Sequence, residues 1–405
     1  MPVGNLDLKA EAVLEPHIQF QDPRSKNSTH PKSVFLTGAT GLLGAHLLAE
    51  LLNKTTAVVY CLTRSNDIDA AKQRLKNHLQ FYALWDETLS SRIIPVVGDL
   101  SKPLLGISEQ QFSELASEVD VIYHNGALVN FFYPYSTLKK ANVIGTQEIL
   151  KLASMAQTKP VHFVSSLAVF FSNTFSPADL IKETDVPVVD SSFKGGYKQS
   201  KWVAEKLVMT AQERGLPATI YRLGRILGDS KHGITGNTDD VLCTLLKACI
   251  QLEKYPTSQT KINITPADYV TKAIVYLSQQ ETSFEKAFHF FNPQRITWQN
   301  LFNDIRSLGY SVEEIDYEQW LGKFELHIKN HPEEKSYPFL LRFLNSPGNI
   351  FSKRPPFDTS QTTEGLVDSS IVCPPVDAKL ISTYFSYFQS SGYIPAPLST
   401  NNKLS

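Results

Sequence analysis

Cysteine is scarce: there are four in 405 residues (Cys61, Cys243, Cys249, Cys373), and no two stand at a metal-ligand spacing. That excludes a disulfide framework and a cysteine-based metal site, and it points to reduced thiols in the cytoplasm. Neither sign of charge is in excess, since 39 Lys and Arg face 40 Asp and Glu for a net charge of −1. A nucleic-acid groove or an anionic membrane surface calls for a basic field, so neither partner is expected. No apolar run reaches the roughly 18 residues that a membrane-spanning helix needs. The N-terminus has no basic segment leading into an apolar one, so no signal peptide is read there. Internal repeats are also lacking.

What is present is 42% hydrophobic and 20% charged. The length suits one large α/β domain with an appended lobe, or two domains. The most informative stretch is S-V-F-L-T-G-A-T-G-L-L-G-A-H-L-L at 33–48. Strand character at Val34–Thr37 runs into Gly38, Gly41 and Gly44, and a helical apolar pattern follows at Leu43, Leu47, Leu48, Leu51 and Leu52. This is the strand, tight turn and helix N-terminus that a dinucleotide pyrophosphate occupies. Gly38 permits the turn, Gly41 admits the phosphates and Gly44 allows close packing.

Further strands are expected at 57–63, 92–100, 119–123, 161–165 and 218–222, alternating with helices near 67–83 and 137–156 and from about Gly196. Nearly continuous apolar strands between helices predict a Rossmann-type, doubly wound parallel sheet. After Gly228 the pattern turns to short helices near 239–252, 267–279, 297–307 and 376–390. A Pro-, Ser- and Thr-rich stretch at 344–375 reads as a long loop. The expected organisation is therefore a lead-in at 1–30 outside the core and a nucleotide-binding domain at 31–230. A smaller, mainly helical substrate lobe at 231–395 follows, with some segments returning to the core, and then a tail at 396–405. The lead-in and the polar tail read as the ends of an excised, monomeric domain.

In such sheets ligands bind beyond the C-terminal strand ends. The turn contributes Thr37, Gly38, Thr40, Gly41, Leu42, Leu43 and Gly44. The other strand ends contribute Asp99, Leu100, Asn125, Gly126, Ala127 and Leu223. An NAD site has an acidic residue about 20 positions past the glycines, where it bonds the ribose hydroxyls. Here Arg64 stands there, and Arg74 follows on the next helix. A guanidinium suits a 2′-phosphate, so the expected cofactor is NADPH. Asp99 is open to two roles, accepting from the adenine amino group or capping a turn.

A second chemical stretch is G-G-Y-K-Q-S-K-W-V-A-E at 195–205. Tyr197 and Lys201 are four apart and share a helix face. A nearby ammonium lowers a phenol's pKa, and Lys201 also suits the ribose hydroxyls of the cofactor. Ser166 follows the fifth strand and offers a hydroxyl to a carbonyl oxygen. Together these are the parts of a hydride-transfer site.

With T-G-A-T-G-L-L-G and Y-K-Q-S-K in place, the chain resembles an extended short-chain dehydrogenase/reductase. It is most similar to the thioester reductase domains that end nonribosomal peptide synthetases, some polyketide synthases and carboxylic acid reductases. Supporting stretches are V-Y-C-L-T-R at 59–64, Y-H-N-G-A-L-V-N-F-F-Y-P-Y at 123–135, Y-R-L-G-R-I-L-G-D-S at 221–230 and I-T-P-A-D-Y-V at 264–270, and the likeness covers roughly 6–395. It departs at Ser165-Ser166, where many members have Ser-Thr, and this leaves open which serine is catalytic. The resemblance implies NADPH-dependent release of an acyl or peptidyl thioester from a phosphopantetheinylated carrier protein. The product is an aldehyde or, after a second reduction, an alcohol. It also implies that the C-terminal lobe shapes the acyl channel and meets the carrier. Two enzymatic alternatives stand beside it: a reductase of soluble acyl-CoA, and a nucleotide-sugar epimerase or dehydratase. A non-catalytic dinucleotide sensor is a third, and the presence of both Tyr197 and Lys201 weighs against it.

Overall fold

The computed structural model describes residues 6–20, 28–172, 174–236, 238–346 and 348–397. Parts of the expected lead-in (1–5 and 21–27) and of the expected tail (398–405) lie outside these. The chain divides into two units, each with its own core. The first takes residues up to Gly224 together with Asp268–Phe291 and Pro355–Val372; the second takes Arg225–Ala267, Asn292–Arg354 and Cys373 onward.

The first unit is built on strands β1 (Ser33–Thr37), β2 (Val58–Thr63), β3 (Ile93–Val97), β4 (Val121–His124), β5 (Val161–Ser166) and β6 (Ala218–Leu223). An edge strand at Ala287–Phe290 completes a seven-stranded sheet. From that edge the order is Ala287–Phe290, β6, β5, β4, β1, β2, β3, and every pairing is parallel. Val34, Phe35 and Leu36 in the central strand are fully buried, as helices covering both faces require. Its helices include α1 (Leu8–Glu11), α2 (Leu42–Lys54), α3 (Ile68–Phe81), α4 (Glu109–Glu118), α5 (Tyr135–Lys139), α6 (Gly145–Ser154) and α7 (Gly196–Glu213), and the later helix Ala267–Ser278 returns to it. Between α5 and α6 the chain makes one π-helical turn, Lys140–Ile144. Strand order reverses beside β1, so the loops after β1 and β4 part and open the crevice where such sheets bind ligands.

Three expectations need correcting. Residues 8–18 of the lead-in reach the core: Leu8, Leu14 and Ile18 are buried in the same cluster as Trp202 and Val203 of α7. Arg214 fastens it by donating to the carbonyls of Glu15 (2.8 Å), Ile18 (2.9 Å) and Leu14 (3.0 Å). A short apolar run among polar residues carried too little periodicity to show this. The edge strand at 287–290 was not expected, because A-F-H-F is short and carries a histidine. The 344–375 stretch is not one loop of the second lobe. Residues 355–372 belong to the first unit, Ile181 bridges Phe357 there, and Ser360–Gly365 is helical.

The second unit is mainly helical, with helices at Val241–Gln251, Trp298–Ser307, Tyr317–Asn330, Tyr337–Leu344 and Ala378–Ser390. Three two-stranded pieces join them. Trp298, Trp320, Phe324, Tyr337 and Phe385 fill its core. The helices over 317–330 and 337–344 lay outside the sequence expectation. Among the described residues no helix is long and apolar enough to cross a membrane.

Candidate active site

The turn after β1 is shaped by two glycines. Gly38 has φ +75°, and a Cβ there would lie 2.7 Å from Gly126 Cα. A Cβ on Gly44 would lie 1.9 Å from the Gly38 carbonyl oxygen, so α2 packs directly onto the turn that precedes it. At Gly41, the N-cap of α2, the nearest atom to such a Cβ is 3.6 Å away. The crowding falls on two positions, and at the third a Cβ would make only ordinary van der Waals contact. The first N–H groups of α2, from Leu42 and Leu43, have no acceptor within the helix and suit a pyrophosphate. Thr40 stands half-buried beside them.

The end of β4 is latched to this turn. The Gly126 N–H donates to Thr37 Oγ1 (2.8 Å), and Asn125 Nδ2 donates to the Gly38 carbonyl (3.4 Å). Thr37 Oγ1 also bonds His124 Nδ1 (2.9 Å), whose Nε2 meets Thr146 Oγ1 (3.0 Å). Burial, reinforced by the charge of Lys201, drives the His124 pKa down to about 3, so this ring is a neutral strut. Leu100 and Ala127 are half-buried by the same loops, and Leu223 closes β6. The Thr37–His124–Thr146 chain escaped sequence reasoning. Its only signal was a histidine at a strand end.

At the other end of the crevice, Arg64, Ser65, Asp99 and Lys102 line a cavity of about 260 Å³. Arg74 Nη1 donates to the Arg64 carbonyl (2.6 Å) and fixes the backbone that presents Arg64. Asp99 Oδ1 accepts from the Ser101 N–H and hydroxyl, both at 2.8 Å. It therefore caps its turn through that oxygen. Burial pushes the Asp99 carboxyl up, but the Ser101 bonds and the charges of Arg64 and Lys102 outweigh it and hold the group below its ordinary value. Lys102 was not singled out from the sequence. It comes into play only because the chain after β3 turns back on itself.

The two serines at the end of β5 part company. Ser165 is 3% exposed and donates inward to Glu205 Oε2. Ser166 is half-buried, and its hydroxyl meets that of Tyr197. One turn along α7, Lys201 Nζ donates to the Val164 carbonyl (2.7 Å) and lies 4.3 Å from the centre of the Phe163 ring. Ser166, Tyr197 and Lys201 thus converge on one strand end. One electrostatic expectation is corrected: Lys201 does not lower the Tyr197 pKa. Burial pushes that phenol up to about 12, with only the Ser166 bond opposing it. Burial lowers Lys201 itself to about 8, partly offset by Glu205, and its nitrogen is aimed at a carbonyl. Tyr197 is therefore protonated at neutral pH, the state of a proton donor. The loop before α5 covers this side: Asn142 accepts from the Leu128 N–H (2.7 Å) and donates to Ser200 Oγ (2.9 Å), while Phe131 meets the Tyr197 ring edge-on at 5.1 Å.

The family model described as male sterility protein, an NAD-binding family, matches residues 36–274. A linear gramicidin synthase chain from Brevibacillus parabrevis is 40% identical over 395 residues, which are 98% of this chain but 8% of that protein. Glycine betaine reductase ATRR from Emericella nidulans is 34% identical over 98% of this chain and 32% of its own length. The chain thus spans a third or less of these relatives. Among solved structures, the terminal R domain from the myxalamid PKS-NRPS biosynthetic pathway superposes with a TM-score of 0.90 at 41% identity, covering 96% of this chain and 98% of that one.

Proposed function

The chain belongs to the male sterility protein family of NAD-binding reductases, on the branch of the terminal R domains, and on that premise we propose that it releases a carrier-bound acyl or peptidyl thioester reductively. The observation that carries this reading is the meeting of Ser166, Tyr197 and Lys201 beyond β5, beside the glycine turn. The turn from Thr37 to Gly44 would hold the cofactor's pyrophosphate, and Lys201 would bond its ribose. When bound there, a nicotinamide cofactor supplies the hydride. Arg64 and Lys102, with no carboxylate at the end of β2, favour a 2′-phosphate and hence NADPH.

Ser166 and Tyr197 hold the thioester carbonyl oxygen between two hydroxyls. As that oxygen gains charge, Tyr197 gives it the phenolic proton. The resulting hemithioacetal loses its thiol as the C–S bond breaks, and an aldehyde remains. The same two hydroxyls can serve a second reduction to the alcohol.

The substrate arrives on the phosphopantetheine arm of a carrier protein, for which we assign the second unit as the docking side. A tethered thioester reaches an effective concentration of about the millimolar range. The test offers one acyl group as carrier thioester, CoA thioester and pantetheine thioester, and follows NADPH consumption with mass analysis of the product. The carrier form should show by far the highest kcat/KM. Equal values for all three would instead favour a reductase of soluble thioesters. A nucleotide-sugar epimerase is disfavoured, because Arg64 replaces the acidic ribose contact of a tightly held NAD.

A further inference from the structure

Behind the two serines lies a buried charge network that the reaction does not itself touch. Glu205 is 1% exposed and stands one turn beyond Lys201 and two beyond Tyr197 on α7. Both carboxylate oxygens are used. One accepts from Arg222 Nη2 (2.9 Å) and Nε (3.0 Å), and the other accepts from Ser165 Oγ. Arg222 is 2% exposed; its Nη1 donates to the Glu183 carbonyl (3.0 Å) and to His289 Nε2 (3.2 Å). Its guanidinium also lies 4.8 Å from the centre of the Phe170 ring.

Ser166 is therefore bracketed. The residue before it is tied to Glu205. The turn after it, Leu167–Phe170, rests through Phe170 on the arginine that Glu205 holds. We infer that Glu205 is a positioning residue, which sets the Ser166 end of β5 against Tyr197. A buried ion pair contributes little net stability compared with an apolar pair of the same volume, so stability alone does not account for it.

The groups facing Lys201 can be named from each element. They are Glu205 from its own helix, the Val164 carbonyl and the Phe163 ring from β5, and neutral His124 from β4. Beyond Glu205 stand Arg222 from β6 and, on the helix, Lys206. Glu205 is thus the anion whose field supports the Lys201 ammonium. Removing its charge makes Lys201 titrate at lower pH, so the charged form is lost earlier as pH rises.

The inference rests on the reductase reading, and two variants with two readouts test it separately. Glu205→Gln keeps the shape and removes the charge. It should fold, lower kcat by roughly 10-fold or more, and move the loss of NADPH affinity at high pH down by about half a unit or more. Ser165→Ala removes only the tether. It should lower kcat by about 5- to 10-fold with KM, NADPH affinity and pH profile unchanged, and it decides alone if Glu205→Gln fails to fold. Wild-type kcat in folded Ser165→Ala would overturn the inference. So would a Glu205→Gln enzyme whose activity falls only with its folded fraction and whose NADPH affinity follows the wild-type pH curve. NADPH affinity needs no thioester, so a wild-type chain that reduces nothing refutes the reductase reading while the affinity arm still decides Glu205.

Discussion

On the proposed NADPH reading, replacing Arg64 by alanine should leave a nucleotide site nearly indifferent to the 2′-phosphate. Arg64 is exposed and lines the same cavity as Asp99 and Lys102. A charge-assisted contact to a phosphate contributes about 1.5–3 kcal/mol when shielded, and solvent at this position reduces that to about 1–2 kcal/mol. At 1.4 kcal/mol per tenfold, the loss is roughly 5- to 30-fold in NADPH affinity. Asp99 should deepen it, because its carboxylate lines the same cavity and loses the opposing charge of Arg64. NADH, which lacks the phosphate, should keep its affinity within about twofold. Adding Asp99→Asn to the Arg64→Ala chain should restore part of the NADPH binding. Fluorescence titration with both nucleotides at two salt concentrations reads these effects, and the NADPH advantage of the wild type should shrink as salt rises. Equal losses of NADPH and NADH would refute the assignment of Arg64 to the phosphate.

Tyr197→Phe should leave fold and NADPH binding intact while kcat falls by about 10²- to 10⁴-fold, measured under saturating thioester. Lys201, lowered to about 8 by burial, loses its charge as pH rises through that value, so wild-type turnover should descend above about pH 8 in a pH–rate profile. Gly44→Ala and Gly41→Ala should separate fold from binding. The first drives a methyl into the Gly38 carbonyl and should destabilise by about 2 kcal/mol or more in denaturant unfolding; the second should melt like wild type but bind the nucleotide more weakly. Leu14→Ala, in the lead-in, should cost about 2–4 kcal/mol of unfolding free energy, whereas a lead-in outside the core would show almost no loss.

The local order of the chain dictated much of this molecule. Strand, glycine turn and helix follow one another within residues 33–54, and their chemistry depends on neighbours in sequence, so the nucleotide turn was legible before any packing was known. The same holds for Tyr197 and Lys201, because a helix places residues four apart on one face. Helix and strand periodicity likewise announced the parallel sheet through β6. Tertiary structure decided what spacing cannot express. Ser165 and Ser166 are adjacent, and alternation along a strand sends one to Glu205 and the other to Tyr197; which way each points depends on what packs behind β5. The Tyr197 pKa rose instead of falling because burial raises it while Lys201 is turned toward the Val164 carbonyl, and burial belongs to the whole fold. The lead-in joined the core, and residues 355–372 returned to the first unit, through contacts with partners far away in the chain. A sequence window contains no such partner, so only the folded chain could bring Arg214 to Leu14 or Glu183 to Thr362.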